Sequence, residues 1–257
     1  MLSTQFAPGA PNWVDLGTPD LGAVTAFYGG LFDWEVRGHG PDAGDYAEFL
    51  LDGRRIAGVG PLTEEGAASA WTVYFHTTDA DATAKTVEQA GGAVRVPPMD
   101  VFSEGRMAAF TDPGGAPFAS WQPRDHPGFQ RANVPGTLCW AELHTPEPDG
   151  SRAFYGTVYG WEAEERPFAG ITYTVLHLAD GGPESAFGGI VGLAPPAGVR
   201  AHWLPYFEVE DCDETAGRSE SLGGSIGLHP VEAEGVGRFA RLTDPCGADF
   251  AVITSAT

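Results

Sequence analysis

A long internal duplication restricts the possible folds of this chain more than any other feature of its sequence. Residues 13–34 read WVDLGTPDLGAVTAFYGGLFDW, and residues 140–161 read WAELHTPEPDGSRAFYGTVYGW. The flanking tryptophans, the Thr-Pro pair with its acidic neighbour and the Ala-Phe-Tyr-Gly motif recur at the same spacing, 127 positions later. A second block, residues 71–79, returns at 203–211 with an offset of 132. Blocks repeated in the same order indicate a duplicated domain, because solenoid repeats have periods of roughly 20 to 50 residues.

The length of the chain agrees with two domains of similar size. A chain of 257 residues can form two domains of about 125 residues, each with its own core. The segment 122–137 is rich in proline, glycine and polar side chains, which is typical of a linker. We therefore predict a first domain at 1–123, a linker at 124–137 and a second domain at 138–257.

Hydrophobic periodicity and turn residues predict two βαβββ units in each domain. In the first unit, Thr18 is predicted to cap a helix that Gly29-Gly30 helps to end. Asp52-Gly53 lies between two extended runs and predicts a hairpin. Loops are predicted at 181–184 and 194–198 in the second domain.

Charge and composition argue against several classes of partner. Asp and Glu outnumber Lys and Arg 35 to 14, and the formal net charge of −21 opposes nucleic-acid binding, because phosphate contacts depend on Lys and Arg. No apolar run approaches the roughly 20 residues of a membrane helix, and the N-terminus lacks the pattern of a signal peptide. We therefore expect a cytoplasmic protein with neither a nucleic-acid nor a membrane partner. The 3 cysteines form no CxxC pair, which argues against a disulfide framework.

The repeated motifs resemble those of a known superfamily. The Thr-Pro-acid helix start, the Ala-Phe-Tyr-Gly motif before a closing Trp, and the DPxGAxF sequence of the last hairpin are similar to the vicinal oxygen chelate superfamily. This superfamily includes glyoxalase I, extradiol dioxygenases, fosfomycin-resistance enzymes and bleomycin-resistance binding proteins. The resemblance covers about residues 12–255 and is closest to the tandem glyoxalase-like subgroup. It implies an α+β fold of two tandem domains, in which two βαβββ units form a curved mixed sheet around a cavity.

The resemblance also implies where a metal would be held, and the sequence departs from the pattern there. Metal enzymes of the superfamily carry His, Gln or Glu on the first strand of a unit and Glu on its closing strand. The equivalent positions of this chain are occupied by Trp13, Gly58, Thr72, Ala119, Trp140, Gly189, Leu204 and Ala251. None of these residues is a carboxylate, an imidazole or a thiolate. We therefore expect no metal site and no cofactor.

Strand alternation predicts which side chains face the concave side of each sheet, where the superfamily binds ligands. We predict six ligand-binding residues, namely Trp13, Tyr74, Trp121, Trp140, His144 and Tyr206. Four ionisable residues on the same faces are candidates for acid–base catalysis, namely Asp15, His76, Glu142 and Glu208. Aromatic walls with few ionisable groups suit a planar, partly polar organic ligand. In the alternative interpretation, Trp13 and Trp140 fill the space of a metal and its substrate and leave a closed core.

Three functions follow from these residues. The first is a metal-independent protein that binds a bulky, aromatic small molecule without changing it, like the bleomycin-resistance branch. The second is a metal-free acid–base enzyme, that is a cyclase, isomerase, lyase or hydrolase, in which a Tyr donates a proton. The third is a metal-dependent glyoxalase or dioxygenase. The duplication makes the chain a pseudo-dimer, so we expect a monomer or a homodimer whose units pair either within a domain or across the duplication.

Overall fold

The computed structural model of the protein describes residues 2–63, 66–168, 170–192 and 200–256. Within these ranges the chain forms four α-helices and sixteen β-strands, in the order βαβββ four times. This order confirms the α+β fold that the sequence predicts. The loop predicted at 194–198 lies outside the described residues, and the segment predicted as a loop at 181–184 contains the start of a short 3-10 helix, Pro183–Ser185.

The elements of the two halves follow each other in the same order. The first half contains β1 (Pro11–Thr18), α1 (Leu21–Phe32), β2 (Glu35–Gly38), β3 (Ala47–Leu51), β4 (Arg54–Pro61), β5 (Ala70–His76), α2 (Ala80–Gln89), β6 (Ala93–Val101), β7 (Gly105–Thr111) and β8 (Pro117–Pro123). The second half contains β9 (Leu138–Thr145), α3 (Pro148–Tyr159), β10 (Glu162–Phe168), β11 (Ile171–His177), β12 (Ala186–Gly192), β13 (His202–Glu208), α4 (Cys212–Ser221), β14 (Ser225–Ala233), β15 (Gly237–Thr243) and β16 (Asp249–Ser255).

Each half of the sequence supplies one eight-stranded mixed sheet. The strand orders are β2-β3-β4-β1-β5-β8-β7-β6 and β10-β11-β12-β9-β13-β16-β15-β14. In every βαβββ module the first strand pairs in parallel with the last, as β1 does with β4 and β9 does with β12. Strands joined by a hairpin are antiparallel. Strand pairing thus stays within each half, which answers the question that the sequence left open. The domain boundaries at 123 and 138 stay a prediction.

The chain divides into two compact units, and each unit combines segments from both halves. Unit 1 comprises Met1–Trp13, Val73–Gly128 and Trp140–Trp203. Unit 2 comprises Val14–Thr72, Phe129–Cys139 and Leu204–Thr257. Each unit therefore contains one βαβββ module from the first half and one from the second.

The core of unit 1 is an aromatic cluster with one buried polar chain. The ring of Phe75 lies 4.8 Å from that of Trp161 and 5.1 Å from that of Trp203. Trp203 Nε1 donates to the Tyr155 hydroxyl at 2.8 Å, and this hydroxyl donates to Asp112 Oδ2 at 3.2 Å. Asp112 also accepts the backbone N–H of Ala116 in the DPxG turn. The polar chain joins helix α3 of the second half to a turn of the first half.

The core of unit 2 repeats this arrangement. Trp71 Nε1 donates to the Tyr28 hydroxyl at 3.0 Å, and the Tyr28 hydroxyl donates to Asp244 Oδ2 at 3.3 Å. Burial raises the pKa of Tyr28 well above its usual value, and the charge of Asp244 raises it further. Both tyrosines belong to the repeated Ala-Phe-Tyr-Gly motif. The duplicated motif therefore encodes the hydroxyl that links helix and turn in each unit.

Helix α1 differs from its prediction at both ends. Its N-cap is Asp20, which accepts the backbone N–H of Ala23, and not the predicted Thr18. The helix continues through Gly29-Gly30 and ends at Phe32, followed by Asp33 with a φ of 59°. A Cβ on Gly30 would lie 2.8 Å from the Leu222 side chain. These glycines therefore do not stop the helix, because Gly30 serves its close approach to the chain that follows α4.

The hairpin predicted at Asp52-Gly53 is confirmed. Asp52 and Gly53 have φ angles of 51° and 70°, as expected for the tight hairpin that joins β3 to β4. All three cysteines are free thiols. Among the described residues, no helix has the length and apolar character needed to cross a membrane.

Candidate functional site

Glu142 and His144 form a contact on strand β9. They lie two residues apart and therefore project from the same face of the strand. His144 Nε2 lies 2.8 Å from Glu142 Oε1, and both residues are 8% exposed. The structure thus brings together two of the residues that the sequence assigned to this face.

Tyr173 on strand β11 completes the hydrogen bonding of Glu142. Its hydroxyl donates to Glu142 Oε2 at 2.9 Å and accepts Trp140 Nε1 at 2.8 Å. Burial raises the pKa of Tyr173 well above its usual value, and the charge of Glu142 adds to this effect. Tyr173 therefore stays a neutral donor. Tyr173 was not predicted as a site residue, although Tyr46 precedes it by the same 127 positions that separate the repeated motifs.

A second imidazole lies against His144. The ring of His202, the first residue of β13, stacks on that of His144 with a centroid distance of 5.1 Å and an interplanar angle of 13°. The sequence analysis gave His202 no role because nothing in the sequence paired it with another residue. The repeat positions of these two histidines in the first half are Gly17 and Ala70. The imidazole pair therefore belongs to the second half alone.

Two residues predicted for ligand binding in the first half, Trp13 and Trp121, contact His126 in unit 1, to which no role was assigned from the sequence. The Trp13 ring meets the His126 ring edge-on at 4.5 Å, and Trp121 Nε1 donates to the His126 carbonyl at 2.7 Å. Burial lowers the pKa of His76, against a hydrogen bond to the backbone of Ala7 that raises it. Tyr74, like Trp13 and Trp121, is buried. His126 was hidden in the sequence because it lies in the segment predicted as the linker.

The remaining predicted residues lie in unit 2. Asp15 on β1 lies opposite Gly58 on β4 and is half-buried. Tyr206 is buried, with its ring 6.2 Å from that of Phe239. The Glu208 carboxylate accepts two hydrogen bonds from Ser255. One comes from the backbone N–H at 2.9 Å and the other from the hydroxyl at 2.6 Å. Glu208 thus fixes the end of β16, while Glu142 in unit 1 has its own partners.

The residues present at the superfamily's metal positions do not fit a metal ion. A Cβ on Gly58 would overlap the Tyr46 hydroxyl, and a Cβ on Gly189 would overlap the Tyr173 hydroxyl. The space of a ligating side chain is therefore filled by a phenol at both positions. Ala119 and Ala251, at the closing strands, are fully buried and offer no donor atom. The part of the chain that the structure describes contains no group of three His, Cys, Asp or Glu side chains placed to hold a metal.

Unit 1 contains two small cavities. One has a volume of about 270 Å³ and lies between the N-terminal segment and Phe187, and the other has about 170 Å³ beside His177. Neither is lined by a residue that the sequence predicted for ligand binding. The predicted aromatic walls instead pack closely, with Trp13 only 5% exposed. A ligand at the predicted faces would therefore displace side chains on entry.

Comparisons with known proteins agree with the fold. Residues 10–119 match the model of the Glyoxalase/Bleomycin resistance protein/Dioxygenase superfamily. The chain is 42% identical to the anthracycline biosynthesis protein DauV of Streptomyces sp. (strain C5), over 97% of this chain and 94% of DauV.

Solved structures share the architecture at low sequence identity. The 2,3-dioxygenase LapB from Pseudomonas sp. KL28 has a TM-score of 0.66 at 14% identity and covers 98% of this chain and 94% of its own. The Mn(II)-bound glyoxalase from Novosphingobium aromaticivorans has a TM-score of 0.64 at 19% identity and covers 97% of this chain and 85% of its own. These structures show the shared fold. The family model and the relative of similar length establish that the chain belongs to the glyoxalase/bleomycin resistance protein/dioxygenase superfamily.

Proposed function

We propose that this protein binds a planar, polycyclic aromatic natural product without a metal ion. The observation that carries the proposal is the exchange of donors for aromatic groups at the metal positions. Trp13 and Trp140 replace the first-strand ligands, and the Tyr46 and Tyr173 hydroxyls fill the space beside Gly58 and Gly189. Stacked rings with a few hydrogen-bonding groups recognise flat ligands that carry oxygen substituents.

The name of a relative supports this class of ligand. DauV is named an anthracycline biosynthesis protein, and anthracyclines contain a planar system of fused, oxygenated rings. The relative matches along nearly the whole of both chains. We therefore extend the ligand class, and not a particular compound, to this protein.

Binding is tested by titrating the full chain with 1,8-dihydroxyanthraquinone, a flat oxygenated tricycle, while following the quenching of tryptophan fluorescence. We expect saturable binding with a Kd of about 1 μM or tighter, that is roughly 8 kcal/mol. Trp140→Ala and Trp13→Ala are expected to weaken binding, whereas His229→Gln on the exposed face of β14 serves as the control. Mass spectrometry of the released compound should show it unchanged. Quenching that never saturates would refute the proposal.

Independence from metal is tested on the same preparation. We expect protein purified without chelator to contain less than stoichiometric transition metal, and treatment with EDTA to leave the Kd unchanged. A stoichiometric metal whose removal abolishes binding would favour the alternative of a metal-dependent glyoxalase or dioxygenase.

The metal-free acid–base enzyme is the second candidate function. One observation favours it, namely the contact between Glu142 and His144 beside the Tyr173 hydroxyl. Carboxylate–imidazole pairs are common in proton transfer, where they typically contribute about 10²- to 10⁴-fold to a rate.

A further inference from the structure

Glu142 orients the imidazole of His144. The Tyr173 hydroxyl donates to Glu142 Oε2, so the other oxygen, Oε1, is the one that meets His144 Nε2. A carboxylate only accepts hydrogen bonds. Nε2 therefore carries the hydrogen in this contact, and the lone pair of the neutral ring lies on Nδ1. Glu142 thus selects the tautomer of His144.

The Nδ1 atom of His144 differs from that of two other histidines. Among the described residues, the Nδ1 atoms of His76 and His177 are buried without a hydrogen-bond partner, whereas His144 Nδ1 is not in this class. The only hydrogen bond of His144 in the described chain is the one from Nε2 to Glu142. Nδ1 is therefore the ring nitrogen that remains to take a proton, on a residue that is 8% exposed.

Aromatic rings lie beside His144. The parallel ring of His202 at 5.1 Å extends the flat surface that His144 presents. His202 Nδ1 lies 3.1 Å from the Arg200 carbonyl oxygen, which only accepts, so this nitrogen carries its hydrogen. The indole of Trp140 is fixed by Tyr173 at the same site. Flat rings thus flank one nitrogen base.

The two halves of the sequence differ at this site. Trp140, Glu142 and Tyr173 have equivalents in the first half at Trp13, Asp15 and Tyr46. The two imidazoles have none, because Gly17 and Ala70 stand at their positions. At the positions compared, the first half therefore keeps the aromatic and carboxylate groups, and only the second half has the two imidazoles.

We propose that the second half catalyses a keto–enol tautomerisation of a polycyclic aromatic ketone, with His144 as the catalytic base and Glu142 as its positioning residue. The proposal rests on the ligand class of the proposed function. His144 Nδ1 takes a proton from a C–H group conjugated with the carbonyl, and the C–H electron pair becomes a C=C bond. The carbonyl π pair moves to oxygen, which takes the proton from the imidazolium. The substrate is isomerised, and the step needs no oxidant, reductant or co-reactant.

The test uses anthrone, a flat tricyclic ketone whose C10 methylene is conjugated with its carbonyl. The full chain is incubated with anthrone in D₂O without oxygen, and the loss of the C10 proton signal is followed by NMR. We expect the protein to accelerate deuterium uptake above buffer, and His144→Ala to lower the protein-dependent rate by about 10²-fold or more. His144→Ala is expected to retain anthrone binding in the fluorescence titration.

Three further variants separate catalysis from structure. Added imidazole is expected to restore exchange in His144→Gly, which a loss of folding would not allow. Glu142→Gln is expected to lower the exchange rate at saturating anthrone without changing the Kd, as a positioning residue should. His229→Gln removes an exposed imidazole on β14 and is expected to exchange at the full rate.

The outcomes distinguish this inference from the proposed function. Saturable anthrone binding without protein-dependent exchange overturns the tautomerase and leaves the binding function standing. Exchange that persists in His144→Ala also overturns the assignment. If neither anthrone nor 1,8-dihydroxyanthraquinone binds, the proposed function fails and the tautomerase fails with it.

Discussion

At the scale of single residues, the glycines Gly58 and Gly189 show how closely a tyrosine packs on each sheet. Each makes room for a tyrosine hydroxyl, from Tyr46 just before β3 and from Tyr173 on β11. Glycine is used where another group approaches the backbone closely. The repeat of the glycine and the tyrosine in both halves indicates that the phenol is part of the architecture of each sheet.

We expect Gly189→Ala to lower the free energy of unfolding by about 1–3 kcal/mol, because the new methyl group would overlap the Tyr173 ring. In a Tyr173→Ala background the same change should cost much less. Urea denaturation of the two single variants and the double variant gives the coupling energy. Gly217→Ala is the control, since a Cβ there has no neighbour within 4 Å. Equal costs in both backgrounds would contradict the packing described for Tyr173.

The sequence identified many residues of the candidate site but not the contacts among them. Strand alternation selected Trp140, Glu142 and His144 from a single strand. Tyr173 and His202 come from other strands, and their contacts depend on the register of β11 and β13 against the rest of the sheet. Register is a property of strand pairing, so a single sequence without its sheet order does not supply it.

At the scale of elements, the four helices show how a repeated sequence can use different local interactions. Asp20, Asp79 and Asp211 each cap a helix by accepting the backbone N–H three residues later. Glu147 occupies the same repeat position at α3 and forms no such bond. The longer side chain and Pro148 at the first helical position change how this helix begins.

We expect Asp20→Ala to destabilise the protein by about 1 kcal/mol, because a backbone N–H of the first turn loses its acceptor. Glu147→Ala at the equivalent position should change stability by much less, since no capping bond is lost. Thermal unfolding followed by circular dichroism measures both. A loss in Glu147→Ala as large as in Asp20→Ala would contradict the assignment of the caps.

Most element types followed from the sequence, and the end of α1 shows where a sequence pattern failed. The alternation and turn signals predicted the strands and hairpins because these depend on neighbours in sequence. The predicted end of α1 was wrong because Gly29-Gly30 lies inside the helix. Gly30 is needed there for the close approach of Leu222, which only the packing reveals. A glycine pair is a stop signal only when no close approach requires it inside the helix.

At the scale of the whole molecule, the sheets and the cores follow different divisions of the chain. Each sheet is built from one half of the sequence. Each compact unit takes one module from either half, and in unit 1 the first-half residues Phe75 and Phe118 pack on Tyr155 of the second half. The sequence predicted two domains with separate cores, and the core of unit 1 draws on both predicted domains.

We expect the isolated segments 1–123 and 138–257 to fail to fold cooperatively. Separation would expose Phe75 and Phe118, which are fully buried in the full chain and contribute roughly 1.5–3 kcal/mol each. Co-expression of the two segments should restore a soluble complex with the unfolding transition of the full chain. A cooperative transition in either segment alone would support the predicted domain boundaries instead.

The sequence by itself determined the duplication, the βαβββ order and the superfamily, because each of these depends on residue types at fixed spacing along the chain. The tertiary structure alone decided that Tyr173 and His202 join Glu142 and His144, and that modules of different halves share a core. These contacts join residues far apart in the chain. They are set by sheet register and by the burial of aromatic faces, which a repeat pattern does not encode.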